Sequence, residues 1–418
     1  MGDRVAMLAA FPDANIRELA DAAIIPGLIN AHSHLELTAM RGFLDSEEED
    51  FSAWLRKLTF ARLERMTPDD LHVSAAWGAC EAARAGVTCM GDSSDGANVS
   101  MSALREVGLR GTVFQESFGR DPRLANENFQ KLTEKVSGLR ELETPLVRAG
   151  VSPHAPYTVC ARQLEMIADF ALAERLPLMM HAAESVAEEK FLREGSGPFA
   201  ESLNERGIEW QAPGTSTIQY LSEHRILETQ PLLAHCVNVK LEDIELLRKT
   251  KAKVVHCPRS NAKLGHGRAP FVALYNRGVA VGLGSDSVAS NNSCDILAEA
   301  RFAILLSRIG AEESVQRMRA EDGLRAATLG GARALGFEGI IGELKEGLQA
   351  DFAAISLSGT HQFPSYDPVD TVVFASTGRD VILTVVAGRE VFADGEVQTA
   401  DEARLRARVK EIAEKLES

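Results

Sequence analysis

The chain is predicted to be an α/β protein: a (β/α)8 barrel of the TIM type, with a small β-sandwich-like unit assembled from the two chain termini. Three observations predict it. Eight short β-type runs recur with helical stretches between them, the alternation expected of a parallel sheet covered by helices. Several runs are continuously apolar, as strands buried on both faces are. The runs close on histidines and acids, at the strand ends where such barrels carry their chemistry.

The elements follow in order. The first 25 residues hold one β-type run, RVAMLAA at 4–10. The eight barrel runs are AAIIPGLIN (22–30), GVTCMGD (86–92), GTVFQES (111–117), LVRAGVSPH (146–154), PLMMHAAE (177–184), PLLAHC (231–236), KVVHCP (253–258) and AVGLGSD (280–286). Between them, 69–86 opens on acids and ends in Gly, as a helix should, and 162–176 and 241–251 read alike. The barrel is placed at 26–335. Beyond it, IIGELKEGLQADFAAISL and VILTVVAGREVFADGEV are short strands punctuated by Gly turns. They assign 336–400, with 1–25, to the small β unit. A last helix is placed at 401–418, where Leu405, Val409, Ile412 and Leu416 share one face.

Composition narrows the function. Hydrophobic residues make up 45% and charged residues 25% of the 418, ordinary for a soluble globular protein. The formal net charge of −15 argues against nucleic acid or an anionic membrane as partner. None of the six cysteines forms C-x-x-C, so a disulfide framework is not expected and a cytoplasmic location is. No apolar run approaches membrane-spanning length, and the N-terminus lacks a signal-peptide layout. The acidic run DSEEEDF at 45–51 reads as a solvated loop.

The closing residues carry the chemistry. Strand by strand they are His32 and His34; Asp92; Gln115 and Glu116; His154; His181 with Glu184; His235; His256 with Asn261; and Asp286. Six of the ten histidines thus fall on one predicted rim. In H-x-H, residues i and i+2 share a strand face, so His32 and His34 project together. With His181 and Asp286 they supply three neutral nitrogens and a carboxylate. That set suits one divalent ion, Zn2+ or Fe2+, with room for water. The same residues have plainer readings: a solvated edge for the pair, an N-cap for Asp286, a satisfied core histidine for His235. Glu184 either charges the first turn of the helix beginning near 185 or acts as an acid beside the metal. His256 could serve packing alone.

The motifs PGLINAHSHLE, SPHAPYT, HAAES, LLAHCV, VVHCPRSNAKLGHG and VGLGSDSVASNN span most of the barrel, and the chain resembles the aminohydrolase branch of the amidohydrolase superfamily. The resemblance implies a single metal on His32, His34, His181 and Asp286, and proton transfer by Glu184, His235 and Asp286. It also implies a mononuclear site: binuclear relatives use a lysine on strand four, and LVRAGVSPH has none. The runs NAHSHLELT, FSAWLRKL and HAAESVAEEKFLREGSGPF look most like 6-aminodeoxyfutalosine deaminases. Their sister enzymes, the S-adenosylhomocysteine/methylthioadenosine deaminases, share most motifs; guanine deaminase, triazine chlorohydrolase and a catalytically dead scaffold are the alternatives. The substrate expected is therefore a small adenine-bearing nucleoside, deaminated at C6 in the route to menaquinone. His154 matches a substrate-contacting residue; Glu116, Trp54 and Asn261 are assigned to substrate as well. Glu184 is expected protonated, giving its proton to the ring, while Asp286 takes one from water and His235 orients it. Residues 36–55 are expected to form a lid. A homodimer is implied by the resemblance alone. Relatives carry a longer segment before the H-x-H than the 31 residues here, so the β unit is expected to be thin on its N-terminal side or the true start to lie upstream.

Overall fold

The computed structural model describes residues 2–309 and 317–417. Eight parallel strands close into a barrel. The first four are β2 (Leu28–Ser33), β3 (Val87–Ser94), β4 (Arg110–Ser117) and β5 (Val147–Pro153). The second four are β6 (Met179–Ala182), β7 (Leu232–His235), β8 (Lys253–His256) and β9 (Val281–Leu283). Each set pairs in sequence order, and single parallel bridges join them: Val151 to Leu178, and Ser33 to Asp286. Ile29, Cys89, Phe114, Met179, Leu232 and Val255, from six strands, form one buried cluster. Side chains from strands on opposite sides meet only inside a closed barrel, so the interior is a packed core rather than a pore.

The predicted helices appear as Pro68–Arg84, Ala161–Glu174 and Leu241–Thr250. Thr67 and Asp70 form a capping box on the first, with Pro68 in its first turn, which is why the sequence signal there is strong.

Two expectations at the N-terminus are corrected. The run 4–10 is a helix, Arg4–Ala10, with no buried residue. Its alanine, leucine and methionine content favours helix, and Asp3 accepts from the Val5 N–H at 2.9 Å to cap it. The run 22–30 is two strands, not one. β1 (Ala22–Pro26) leaves the barrel and pairs antiparallel with Phe352–Ser356, and β2 begins after Gly27. A side chain at Gly27 would meet Thr88 Oγ1 at 2.1 Å, so only glycine fits this close crossing.

The terminal β unit is one five-stranded antiparallel sheet, ordered β1, β10 (Phe352–Ser356), β11 (Val381–Val386), β12 (Arg389–Ala393), β13 (Glu396–Val397). Its hairpins turn on Ala387-Gly388 and Asp394-Gly395. All four residues have positive φ, the requirement of the two-residue turn that matches strand twist. The helix Glu402–Glu417 follows, burying Leu405, Ile412 and Leu416.

A buried ion pair fastens sheet to barrel. Arg110, the first residue of β4, donates to Asp351 from Nε at 2.9 Å and from Nη2 at 3.1 Å. Asp351 Oδ1 also accepts the Ala387 N–H at 2.8 Å. Both side chains are buried, so removing one partner strands the other charge. Arg110→Met is expected to destabilise the protein by about 3–5 kcal/mol, read as a lowered denaturation midpoint. Turnover per folded molecule should hold, because the pair lies at the barrel end opposite the polar rim.

Candidate active site

The barrel's closure builds the site. Ser33 pairs with Asp286 across the last seam, and the Asp286 N–H donates to the His32 carbonyl at 3.0 Å. Residues 286 and 32–34 are far apart in sequence, yet the register sets them side by side. Asp92 fixes the same segment from the other flank. It accepts from the Ser33 hydroxyl at 2.9 Å and the Leu35 N–H at 2.7 Å. Backbone strain concentrates here: Ala183, His235, Cys236 and Asp286 all have positive φ, a conformation that persists where surrounding structure over-determines it.

Four side chains converge. His34 Nε2 lies 3.2 Å from His181 Nε2, and Asp286 Oδ1 lies 3.3 Å from His32 Nε2 and 3.6 Å from His34 Nε2. An ion about 2.0–2.1 Å from tetrahedral ligands sets them roughly 3.4 Å apart, which falls among these separations. His32 Nδ1 is buried without a hydrogen-bond partner. His181 Nδ1 lies 2.8 Å from the His154 carbonyl, so this nitrogen carries the proton and Nε2 is left as a lone-pair donor. Burial lowers His32, pushes His34 down to about 3 and holds His181 well below its usual range. Neutral imidazoles are the form that ligates. Burial works against the Asp286 carboxylate, but the close His32, His235 and His34 rings hold it well below the ordinary range. Its second oxygen accepts from Ser260 at 2.6 Å and Ser290 at 2.9 Å. The donor set and its spacing fit one divalent cation.

Glu184 stands beside this cluster. Its Oε1 lies 3.6 Å from His235 Nε2 and 3.4 Å from His266 Nε2. Burial favours the neutral acid, yet the nearby His235 and His266 imidazoles outweigh it and pull the carboxyl down to about 2. Ser185 caps the following helix, Val186–Glu194, so Glu184 lies just before the cap and outside the helix.

The other expected residues divide. His154, Glu116 and Trp54 line a cavity of about 740 Å3 together with His34, His181, Glu184, His235 and Asp286. Glu116 Oε1 is buried without a partner; burial, then the charges of Glu36 and Asp95, raise its carboxyl well above the usual range. Trp54 is buried and stacks on Phe51 at 6.1 Å. Asn261 is corrected: it is fully buried, outside the cavity lining, and its Oδ1 lies 2.9 Å from His235 Nδ1. Its amide faces His235 and not the cavity. His256 packs against Phe271 at 5.4 Å, and Gln115 donates to the Asp95 and Glu116 carbonyls. Residues 36–55 form short 3-10 turns and the start of the helix Phe51–Phe60, which roofs the cavity with Phe51, Trp54, Leu55 and Leu58.

Sequence reasoning passed over His266, whose ring meets Phe51 edge-on at 4.6 Å. The only signal was its place in the quoted run VVHCPRSNAKLGHG. It also passed over Arg62, which donates to buried Glu36 at 2.7 Å in the cavity wall, and the Tyr157–Phe199 stack at 3.9 Å.

A closed (β/α)8 barrel with three imidazoles and a carboxylate around one point of its C-terminal rim, suited to a divalent metal, defines a metal-dependent hydrolase. The chain belongs to the amidohydrolase family, whose model matches residues 23–391, and it is a hydrolase acting on carbon–nitrogen bonds. It is 34% identical over 417 residues to a 5-methylthioadenosine/S-adenosylhomocysteine deaminase of Syntrophobacter fumaroxidans, covering 99% of this chain and 90% of that protein. It is 33% identical over 399 residues to the Pyrococcus furiosus protein of the same name, covering 94% and 90%. Among solved structures, a zinc-bound adenosine deaminase from Xanthomonas campestris superposes with a TM-score of 0.83 at 28% identity, over 95% of this chain and 86% of that one. Atrazine chlorohydrolase from Arthrobacter aurescens, at 22% identity and a TM-score of 0.81 over 94% and 89%, shares the fold.

Proposed function

We propose that this chain hydrolytically removes the exocyclic amine of an adenine-bearing nucleoside, with 5-methylthioadenosine and S-adenosylhomocysteine as substrates. The observation that carries the reading is Glu184, held between His235 and His266 beside the four-ligand cluster at one wall of a nucleoside-sized cavity. Relatives at 33–34% identity over nearly the whole chain bear the name of this activity. They favour it over 6-aminodeoxyfutalosine, the substrate first expected from the motifs, and with it the place in menaquinone synthesis loses its support.

His32, His34, His181 and Asp286 would hold one divalent ion, Zn2+ by preference. When bound, it supplies Lewis acidity and lowers the pKa of water towards 7. The chain's own residues do the rest. Asp286 takes a proton from the attacking water while Ser260 and Ser290 steady its other oxygen. His235, oriented by Asn261, aims that water. Glu184 delivers a proton to N1 of the ring, which makes C6 electrophilic. The proton that Asp286 took from water passes to the leaving amine, which departs as ammonia, and the proton of the new C6 hydroxyl returns to Glu184. Glu116 offers its carboxyl to ribose hydroxyls, His154 borders the base, and Trp54 closes the roof. The chain acts as a homodimer in the cytoplasm, where its six free, buried cysteines stay reduced.

Ammonia release from a panel tests the substrate: 5-methylthioadenosine, S-adenosylhomocysteine, adenosine, 6-aminodeoxyfutalosine and guanine. The first two should give the highest kcat/KM. Exclusive turnover of guanine, or of 6-aminodeoxyfutalosine, would overturn the assignment.

A further inference from the structure

The turn that carries Glu184 is held by a second buried acid. Ser185 opens the helix Val186–Glu194 and accepts from the Glu188 N–H at 3.2 Å. Serine followed three residues later by glutamate is the sequence of a capping box, in which the acid returns to the N–H of the capping residue itself. Here it reaches further back. Glu188 Oε1 accepts the Ala183 N–H at 2.8 Å, and Oε2 accepts the Glu184 N–H at 3.0 Å. The Thr217 hydroxyl donates to Oε1 at 2.9 Å. The side chain is fully buried and does not line the cavity.

The same turn is tied on its other side to the His235 segment. The Ala183 carbonyl accepts the N–H groups of Val237 at 2.9 Å and Asn238 at 2.8 Å, and the Ala182 carbonyl accepts that of Cys236 at 3.1 Å. Ala183 has φ +53 and His235 φ +71, so both turns sit in a conformation that side chains other than glycine avoid. Carbonyls on one side and N–H groups on the other are thus all engaged. Release of the N–H side leaves the strained alanine free to relax and lets the Glu184 carboxyl swing off its two imidazoles.

We propose that Glu188 is a positioning residue for the reaction: its carboxylate clamps the 183–184 backbone so that Glu184 stays aimed between His235 and His266. This rests on Glu184 being the proton-transfer group. An error of about 1 Å at a reacting group costs about 10²-fold in rate.

Glu188→Gln keeps the shape, but it can oppose the two N–H groups with only one oxygen. It should lower kcat about 10²-fold, with KM and metal content near wild type, measured where melting curves show the variant folded. The pH limb of kcat set by Glu184 should move as well, which a merely structural role would not cause. Glu188→Asp keeps the carboxyl group but is too short to span both N–H groups, and should not rescue kcat. Thr217→Val removes one donor and should lower kcat about 2–10-fold at unchanged KM; if Glu188→Gln does not fold, this variant decides alone. A wild-type kcat and pH profile in a folded Glu188→Gln, or in Thr217→Val when it decides, overturns the clamp. If Glu184→Gln in the same assay also retains wild-type kcat, the fault lies with the acid assignment instead.

Discussion

Replacing Glu184 by glutamine is expected to leave a folded, metal-loaded protein whose turnover has fallen by about 10²–10⁴-fold, the range proton transfer by a positioned side chain supplies. The geometry makes this variant informative. Glutamine keeps the volume of a buried side chain, so no cavity opens. Its N–H still donates to Glu188, so the turn keeps its anchor. What disappears is the proton-carrying oxygen and the negative charge 3.6 Å from His235 and 3.4 Å from His266. His235, which that charge helps to raise, should become a weaker base at the same time. KM should change little, because the cavity walls formed by His154, Trp54 and Phe51 are left untouched. A residue that only charged a helix terminus would contribute roughly 0.3–1 kcal/mol of stability and nothing to turnover. Parallel measurement of kcat, metal content and melting temperature separates the two; wild-type kcat would refute the acid role.

What was legible in the sequence had a local cause. Each barrel strand ends where an apolar run meets a polar residue, so His32, His181, His235 and Asp286 announce themselves, and strand alternation pairs His34 with His32. The division at Gly27 was not legible. AAII and LI are equally apolar, and only the pairing of Ala22–Pro26 with Phe352–Ser356 tells one sheet from the other. The short run at 4–10 was misread because seven mostly apolar residues fit a strand or a helix, and the cap on Asp3 decided it. Asn261 was misassigned because its position past strand seven indicates nearness to the rim but not the direction of its amide. His266 meets Glu184 and Phe51 from a distant loop, and Glu188 turns back to the 183–184 backbone and to Thr217, contacts that no periodic pattern announces.

Asp286→Asn is expected to have the largest effect of any single change, about 10⁴-fold or more in turnover together with weakened metal retention. Asparagine tolerates the positive φ of this position nearly as well as aspartate does, so the backbone pairing with His32 and the barrel seam should persist. The chemistry does not. Asp286 places one oxygen 3.3 and 3.6 Å from the His32 and His34 nitrogens and turns the other to Ser260 and Ser290. An amide has one oxygen for these two duties, and no charge to draw a cation or accept a proton from water. If the oxygen turns to the cation, the NH2 group meets two serine hydroxyls that can only accept by reorienting; if it turns to the serines, two hydrogens face the site. Dialysis against a weak chelator, followed by metal analysis, should strip the variant well before the wild type. Excess Zn2+ should then restore occupancy while turnover stays low, because proton acceptance is still missing. Recovery of turnover in step with occupancy would confine Asp286 to ligation. Stoichiometric metal and wild-type rates after dialysis would remove it from the site altogether, and with it the link between the barrel seam and the chemistry.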